Sequence, residues 1–277
     1  MRPRLPAALA AAALLAACAN AINYTDPAGP RFASAGIAPL VTWRDTLRIV
    51  TFNIAWARQI NRAIALLRED QALAGADVLL LQEMDASAAR TVAESLGLHW
   101  VYYPAARYPN TQRDFGNAIL SRYPIVDDRK IVLPHLGRGR RSQRIAVGAT
   151  LVVGDWPVRV YSLHLATLIS NGPNQRREQL RAVLDDAERH PDVIVAGDFN
   201  SETVPGIALE RGYRWPTRGL RRTNGLWTFD HVLVRGLALA GPNATGVIQN
   251  RRDASDHHPV WAVLVRPAAR SEARSEP

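Results

Sequence analysis

Two short patterns in this 277-residue chain gather acids, an amide and imidazoles beside apolar runs. Gly197-Asp198-Phe199-Asn200 follows Val193-Ile194-Val195-Ala196, and Ser255-Asp256-His257-His258-Pro259 leads into Val260-Trp261-Ala262-Val263-Leu264-Val265. The same habit recurs: Asn53 closes Leu47-Arg48-Ile49-Val50-Thr51-Phe52, Glu83 follows Val78-Leu79-Leu80-Leu81-Gln82, His164 ends a strand-like run, and Asp230 lies in another. Polar groups at the rim of a buried strand are costly unless paired or bound to a metal. Recurrence at successive strand ends therefore predicts one convergent site. Its chemistry suits metal-assisted attack of water on a phosphate ester. Taken singly, each residue has a plainer reading. Asn53 could serve a turn, Glu83 the first turn of a helix, and Asp198 with Asn200 an Asx turn. His164 could be a satisfied core histidine, and Asp230 the partner of a nearby arginine. All of these holding independently is implausible.

The elements that must position these groups alternate between strand and helix. Strands are expected at 47–53, 78–81, 100–103, 117–121, 125–133, 145–153, 158–165, 193–196, 227–234 and 260–265. Ile60, Ala63, Ile64 and Leu67 recur at helical spacing, as do Leu180, Val183, Leu184 and Ala187. Residues 85–96 read as a helix stopped by Gly97. Many strands with interspersed helices predict a mixed α/β layered fold.

The ordered set Thr51-Phe52-Asn53-Ile54, Gln82-Glu83, Gly116-Asn117-Ala118-Ile119-Leu120-Ser121, Ser162-Leu163-His164-Leu165, Gly197-Asp198-Phe199-Asn200, Asp230-His231-Val232-Leu233 and Ser255-Asp256-His257-His258-Pro259 resembles the endonuclease/exonuclease/phosphatase superfamily over residues 47–265. The resemblance implies a deoxyribonuclease I-like four-layer sandwich: two packed mixed β-sheets flanked by helices. It also implies a metal-dependent phosphoric ester hydrolase. By this resemblance Glu83, Asn53 and Asp256 serve the metal, Asp230 pairs with His257, and His257 or Asp198 acts on the attacking water. Asn200 and His164 would then hydrogen-bond the phosphate. An oxygen-rich site with few protein ligands suits Mg²⁺, with Mn²⁺ as a substitute. His231 and His258 flank matching positions, whereas His99, His135 and His190 lie in no motif.

The N-terminus reads as a targeting segment. Arg2 and Arg4 precede an Ala/Leu-rich run over residues 5–17, which ends Leu15-Ala16-Ala17-Cys18. This tetrapeptide resembles the lipobox of bacterial lipoproteins. The expected organisation is a signal peptide at 1–17, lipidated Cys18 with a flexible tether at 18–46, the catalytic domain at 47–266 and a disordered tail at 267–277. Cys18 is the only cysteine, which excludes an intrachain disulfide. The implied setting is the extracytoplasmic bacterial envelope, with the outer membrane favoured because Ala19 carries no acidic retention signal.

The net charge of +9 suits a polyanionic partner, although Lys130 is the only lysine and arginine is overused throughout. Arg138, Arg140, Arg141 and Arg144 form one basic run and Arg218, Arg221 and Arg222 another, near Tyr213 and Trp215. Arg141 and Arg144 are the candidate substrate contacts. The interval from Asn200 to Asp230 is short for a DNA-specific member. A monomeric phosphodiesterase or nuclease is expected, with phospholipid-headgroup (sphingomyelinase-like) or inositol-phosphate hydrolysis as the alternative. From another class, a non-catalytic envelope lipoprotein that binds polyanions stays open.

Overall fold

The computed structural model describes residues 20–34, 45–109 and 111–267. Its frame is two sheets. Strands β3 (Thr46–Asn53), β4 (Val78–Met84), β5 (His99–Tyr108), β6 (Arg113–Ser121) and β14 (Val260–Val265) build the larger, with the short β1 (Ile22–Asn23), β2 (Phe32–Ala33), β12 (Ala238–Leu239) and β13 (Thr245–Val247) on its margins. The smaller has the order β11 (Asp230–Arg235), β10 (Val193–Asp198), β9 (Trp156–His164), β8 (Ile145–Val153) and β7 (Ile125–Val132). Helices α1 (Ile60–Glu69) and α2 (Ala86–Leu96) cover one outer face, and α3 (Pro173–Asp186) with a 3-10 segment (Val204–Arg211) covers the other.

Strand periodicity creates these layers, because successive side chains point to opposite faces. Leu47 and Ile49 of β3 meet Val78 and Leu80 of β4 and Ile194 and Ala196 of β10 in the core between the sheets. Val50 and Phe52 point outward to the helix-side core with Leu79, Leu81, Ala63 and Val92. Val193 and Val195 face Leu180, Val183 and Leu184 of α3. The central strands are apolar throughout because both faces are covered. The four-layer sandwich that the resemblance implies is thus the observed fold.

Pairing directions bring the polar strand ends to one edge. Parallel β9 and β10 place His164 beside Asp198, and antiparallel β11 places Asp230 on the other side of Asp198. Parallel β3 and β4 end together at Asn53 and Gln82, while β14 starts opposite Thr51. A buried polar clamp ties the two sheets below this edge. Gln82 Nε2 donates to Ser162 Oγ at 3.1 Å, and Asn117 Nδ2 donates to the carbonyls of Ile145 (3.0 Å) and Ser162 (3.1 Å). With its amide donors paired across the sheets, this clamp fixes the strand ends relative to one another.

Two expectations need correction. Residues 18–46 were expected to form a flexible tether, yet residues 20–34 are docked on the domain. β1 and β2 pair with β5, the buried Lys130 ammonium donates to the Tyr24 (3.0 Å) and Gly29 (2.6 Å) carbonyls, and Arg31 pairs with Asp128. The segment lacks periodicity because backbone pairing and a buried ammonium hold it, rather than a repeating apolar face. The strand expected over 227–234 begins only at Asp230, because Trp227 closes a turn with Asn224 through two backbone hydrogen bonds of 3.0 and 2.8 Å. The expectations for residues 1–17, Cys18 and the tail beyond residue 267 lie outside the described residues.

Candidate active site

The site is organised around Asp198, the last residue of β10. Its Oδ1 accepts the Asn200 backbone N–H at 2.8 Å, which aims Oδ2 into the cleft between the sheets. Asp198 Oδ2 accepts from Asn53 Nδ2 at 3.0 Å and lies 3.4 Å from His164 Nε2 and 3.7 Å from His257 Nε2. Gly197 makes this approach work. Its φ is +152°, and a Cβ there would lie 1.9 Å from the Leu163 carbonyl oxygen, so a side chain would force β9 and β10 apart.

Glu83 reaches the same cleft by a different device. The β4–β6 register shifts between Leu81 and Met84, and Glu83 takes the left-handed conformation with φ of 58°. This bulge turns its carboxylate toward the edge. Oε1 accepts from Asn53 Nδ2 at 3.2 Å and Oε2 from the Trp56 N–H at 3.1 Å. Asn53 thereby bridges Glu83 and Asp198.

His257 Nδ1 donates to Asp230 Oδ2 at 2.8 Å. Ser255 fixes the approach of this segment: its hydroxyl donates to the Asn53 carbonyl at 2.6 Å and accepts the His257 N–H at 3.1 Å. Asn200 also has positive φ (47°), and its Nδ2 donates to the Leu165 carbonyl at 3.1 Å, which leaves one amide N–H for a ligand. Arg144 Nη1 lies 3.2 Å from both ring nitrogens of His164.

The electrostatics divide these groups. Burial, then Arg144 and His257, hold His164 well below the usual imidazole range, so it is neutral. Burial pushes the Asp198 carboxyl up to about 7 against the opposing pull of His257. Glu83 is raised by burial, with Arg144 and the Asn53 hydrogen bond opposing. Burial alone would lower His257, but the Asp230 and Asp198 carboxylates raise it to about 10.

The sign gives a stability test. The folded-state value of His257 lies above its unfolded one, so this stabilisation is full below pH ~6.5 and disappears as pH rises through about 10. With chelator present, the stability gap between the wild type and His257→Gln, measured by urea unfolding, should narrow as pH rises from about 7 toward 10. A gap independent of pH would contradict the ion pairing.

The structure brings Asn53, Glu83, His164, Asp198, Asn200, Asp230, Asp256 and His257 to the common edge. Asp256 is exposed at the rim, where its charge is felt by Glu83. Arg144 enters the site, whereas Arg141 stays exposed and contributes its carbonyl to Asn23 Nδ2 at 2.8 Å. Sequence reasoning missed Asn224, whose amide stands 2.5 Å from His257 Nε2. The Asn224-Gly225 dipeptide marks a turn, and only the fold shows that this turn borders the histidine.

The donor set fits a hard divalent cation. Glu83 is a raised, largely desolvated acid whose hydrogen-bond partners are neutral, and Asp256 and Asn53 add oxygen donors nearby. Asp198, Asp230 and His257 also place ligand atoms within 4.8 Å of one another. There, however, the His257 Nδ1–H already donates to Asp230, so the trio is better described as an acid–imidazole relay than as a metal cage.

Stacked sheets with acids, amides and imidazoles at one shared edge define a metal-assisted phosphoesterase. Residues 50–257 match the Endonuclease/Exonuclease/phosphatase family, and the chain belongs to that family of metal-dependent phosphoric ester hydrolases. The fold is similar to an endonuclease/exonuclease/phosphatase from Beutenbergia cavernae DSM 12333, with 22% identity, TM-score 0.65 and coverage of 82% of this chain and 73% of that one. D. rerio TDP2 complexed with single strand DNA product has 18% identity and TM-score 0.64, covering 80% and 99%. The human Nocturnin catalytic domain with bound sulfate anion has 19% identity and TM-score 0.62, covering 81% and 96%. Among curated proteins, none matches this chain in sequence.

Proposed function

We propose that the chain is a Mg²⁺-dependent phosphodiesterase of the bacterial envelope, anchored through lipidated Cys18 and acting as a monomer, with nucleic acid as its first substrate class and phospholipid headgroups as the second. The observation that carries the catalytic reading is the convergence of Asn53, His164 and His257 on one oxygen of Asp198. A carboxyl raised to about 7 in this position is matched to general-base work near neutral pH. Asp198 takes the proton of the attacking water. His257, held cationic by Asp230, stabilises the charge that develops on the phosphate, and neutral His164 and the remaining Asn200 N–H donate to its oxygens. Arg144, beside His164, adds a positive charge on the same side. Glu83, Asp256 and Asn53 would hold the Mg²⁺, which supplies Lewis-acid stabilisation of the leaving oxygen when bound. Mn²⁺ would fit the same oxygen donors.

Arginine supports a polyanionic substrate, and TDP2 of similar fold is complexed with single strand DNA product. Substrate and anchoring are tested together. The membrane fraction should carry acylated Cys18 by mass spectrometry, and Cys18→Ser should release the protein. Plasmid DNA, RNA and sphingomyelin assayed side by side should show metal-dependent cleavage of at least one. Cleavage of none, with retained fold, would contradict the diesterase reading.

A further inference from the structure

The loops at the catalytic edge carry side chains that catalysis does not use. Leu168 is 47% exposed and Ile169 92%, in the loop that follows His164. Leu226 is 69% exposed and Trp227 49%, in the turn that precedes Asp230. The strand directions put both loops on the same edge, on either side of β10. Large apolar side chains this exposed, at two tips flanking one cleft, mark an interaction surface rather than scattered surface residues.

Positive charge surrounds them. Arg138 and Arg141 are exposed in the 133–144 loop, which joins β7 to β8 at this edge, and the Arg138 N–H donates to the Ser170 carbonyl at 3.1 Å, which ties it to the Ile169 loop. Arg221 and Arg222 are exposed just before Thr223, whose hydroxyl accepts the Phe229 (2.9 Å) and Asp230 (3.1 Å) N–H groups. Among the described residues none of these four arginines has a carboxylate partner, unlike Arg31, Arg113 and Arg129.

The docked N-terminal segment adds a third, covalent constraint. The Ala21 N–H donates to the Arg140 carbonyl at 2.8 Å and the Gln143 N–H to Asn23 Oδ1 at 2.8 Å, so the chain enters the domain at the same 133–144 loop. Only Ala19 and Asn20 separate Cys18 from Ala21, so three Cα–Cα steps give a reach of about 11 Å at most. An acyl anchor on Cys18 would therefore hold this edge near the bilayer.

We propose that the catalytic edge lies face-down on an anionic lipid bilayer, with Ile169, Leu168, Leu226 and Trp227 entering its interface and the unpaired arginines meeting the headgroups. Apolar tips with aromatic and cationic neighbours suit that interface. A nucleic acid would use the arginines but offers nothing to an aliphatic side chain as exposed as Ile169. A cleft that faces the bilayer favours phospholipid headgroups, the second substrate class above, over nucleic acid. The direction of the leash rests on the Cys18 reading above, whereas the apolar and basic tips are features of the fold alone.

The test uses the full chain on phosphatidylcholine–phosphatidylglycerol vesicles with brominated acyl chains. Bromine should quench part of the tryptophan emission, and that part should vanish in Trp227→Phe. In the unlipidated Cys18→Ser background, Ile169→Asp with Leu226→Asp should weaken vesicle binding at least about tenfold while circular dichroism is unchanged. Quenching that persists in Trp227→Phe together with unaltered binding of the Asp variants would overturn the proposal. Tight binding of these variants' parent to single-stranded DNA but not to the vesicles would overturn it equally. Because these readouts need neither acylation nor turnover, absent acylation or absent activity would count against the envelope phosphodiesterase and not against this surface.

Discussion

His257→Ala is expected to lower kcat for a phosphodiester by about 10³-fold or more, with Mg²⁺ affinity little changed. The residue sits at the end of a relay, Asp230 Oδ2 to Nδ1 at 2.8 Å, with Nε2 facing the cleft 3.7 Å from Asp198. Its loss removes the cation that would stabilise phosphate charge, and also the group that restrains the rise of the Asp198 pKa. Both effects act on the chemical step, so kcat should fall while KM moves far less. Asp230→Asn should follow in the same direction, because an amide cannot hold the ring positively charged. Stopped assays at saturating substrate, with folding checked by circular dichroism, read this out. A loss under about tenfold would remove His257 from the reaction.

Glu83→Gln should instead weaken divalent-metal binding by about 100-fold or more, since losing an outer hydrogen-bond partner of a metal ligand already costs 10- to 100-fold. Glutamine keeps the side chain's length and a carbonyl oxygen for the Trp56 N–H or the Asn53 amide, and removes only the charge. Mn²⁺ titration followed by electron paramagnetic resonance measures the affinity without any turnover. Turnover should recover in part at high metal, which separates this variant from His257→Ala. Unchanged Mn²⁺ affinity would move the metal to the Asp198–Asp230–His257 trio.

The groups that meet at the common edge are legible in the sequence because each closes or opens a run of buried apolar residues. Asp198 behind Val193-Ile194-Val195-Ala196 and His257 ahead of β14 state their own positions, and Gly197 marks the close passage of two backbones. The devices that aim the groups were not legible. The bulge that gives Glu83 a φ of 58° depends on β6 as its partner, and a strand pattern alone places that side chain only by alternation. Asn224 is distant in sequence from His257, so their contact exists only once the turn closes. The arginine run showed charge but could not distinguish Arg144, buried against His164, from Arg141, exposed at the rim. The docking of residues 20–34 was hidden for a similar reason: it depends on two-residue strands and on carbonyls that accept from Lys130, and neither leaves a periodic trace.

That docking changes how the whole molecule is read. A long tether would let the cleft face any direction, whereas the proposed anchor on Cys18 would, through a segment pinned at the 133–144 loop, hold the cleft toward its membrane.

The most direct test of the strand-end site is hydrolysis of a soluble aryl phosphodiester by the full chain, followed as Mg²⁺ is added and then chelated. The expected result is turnover that rises with Mg²⁺, stops with chelator, returns on metal readdition and is lost in His257→Ala. Turnover indifferent to chelator, or none from a folded protein at any metal concentration, would contradict a metal-dependent phosphodiesterase centred on Asp198, Glu83 and His257.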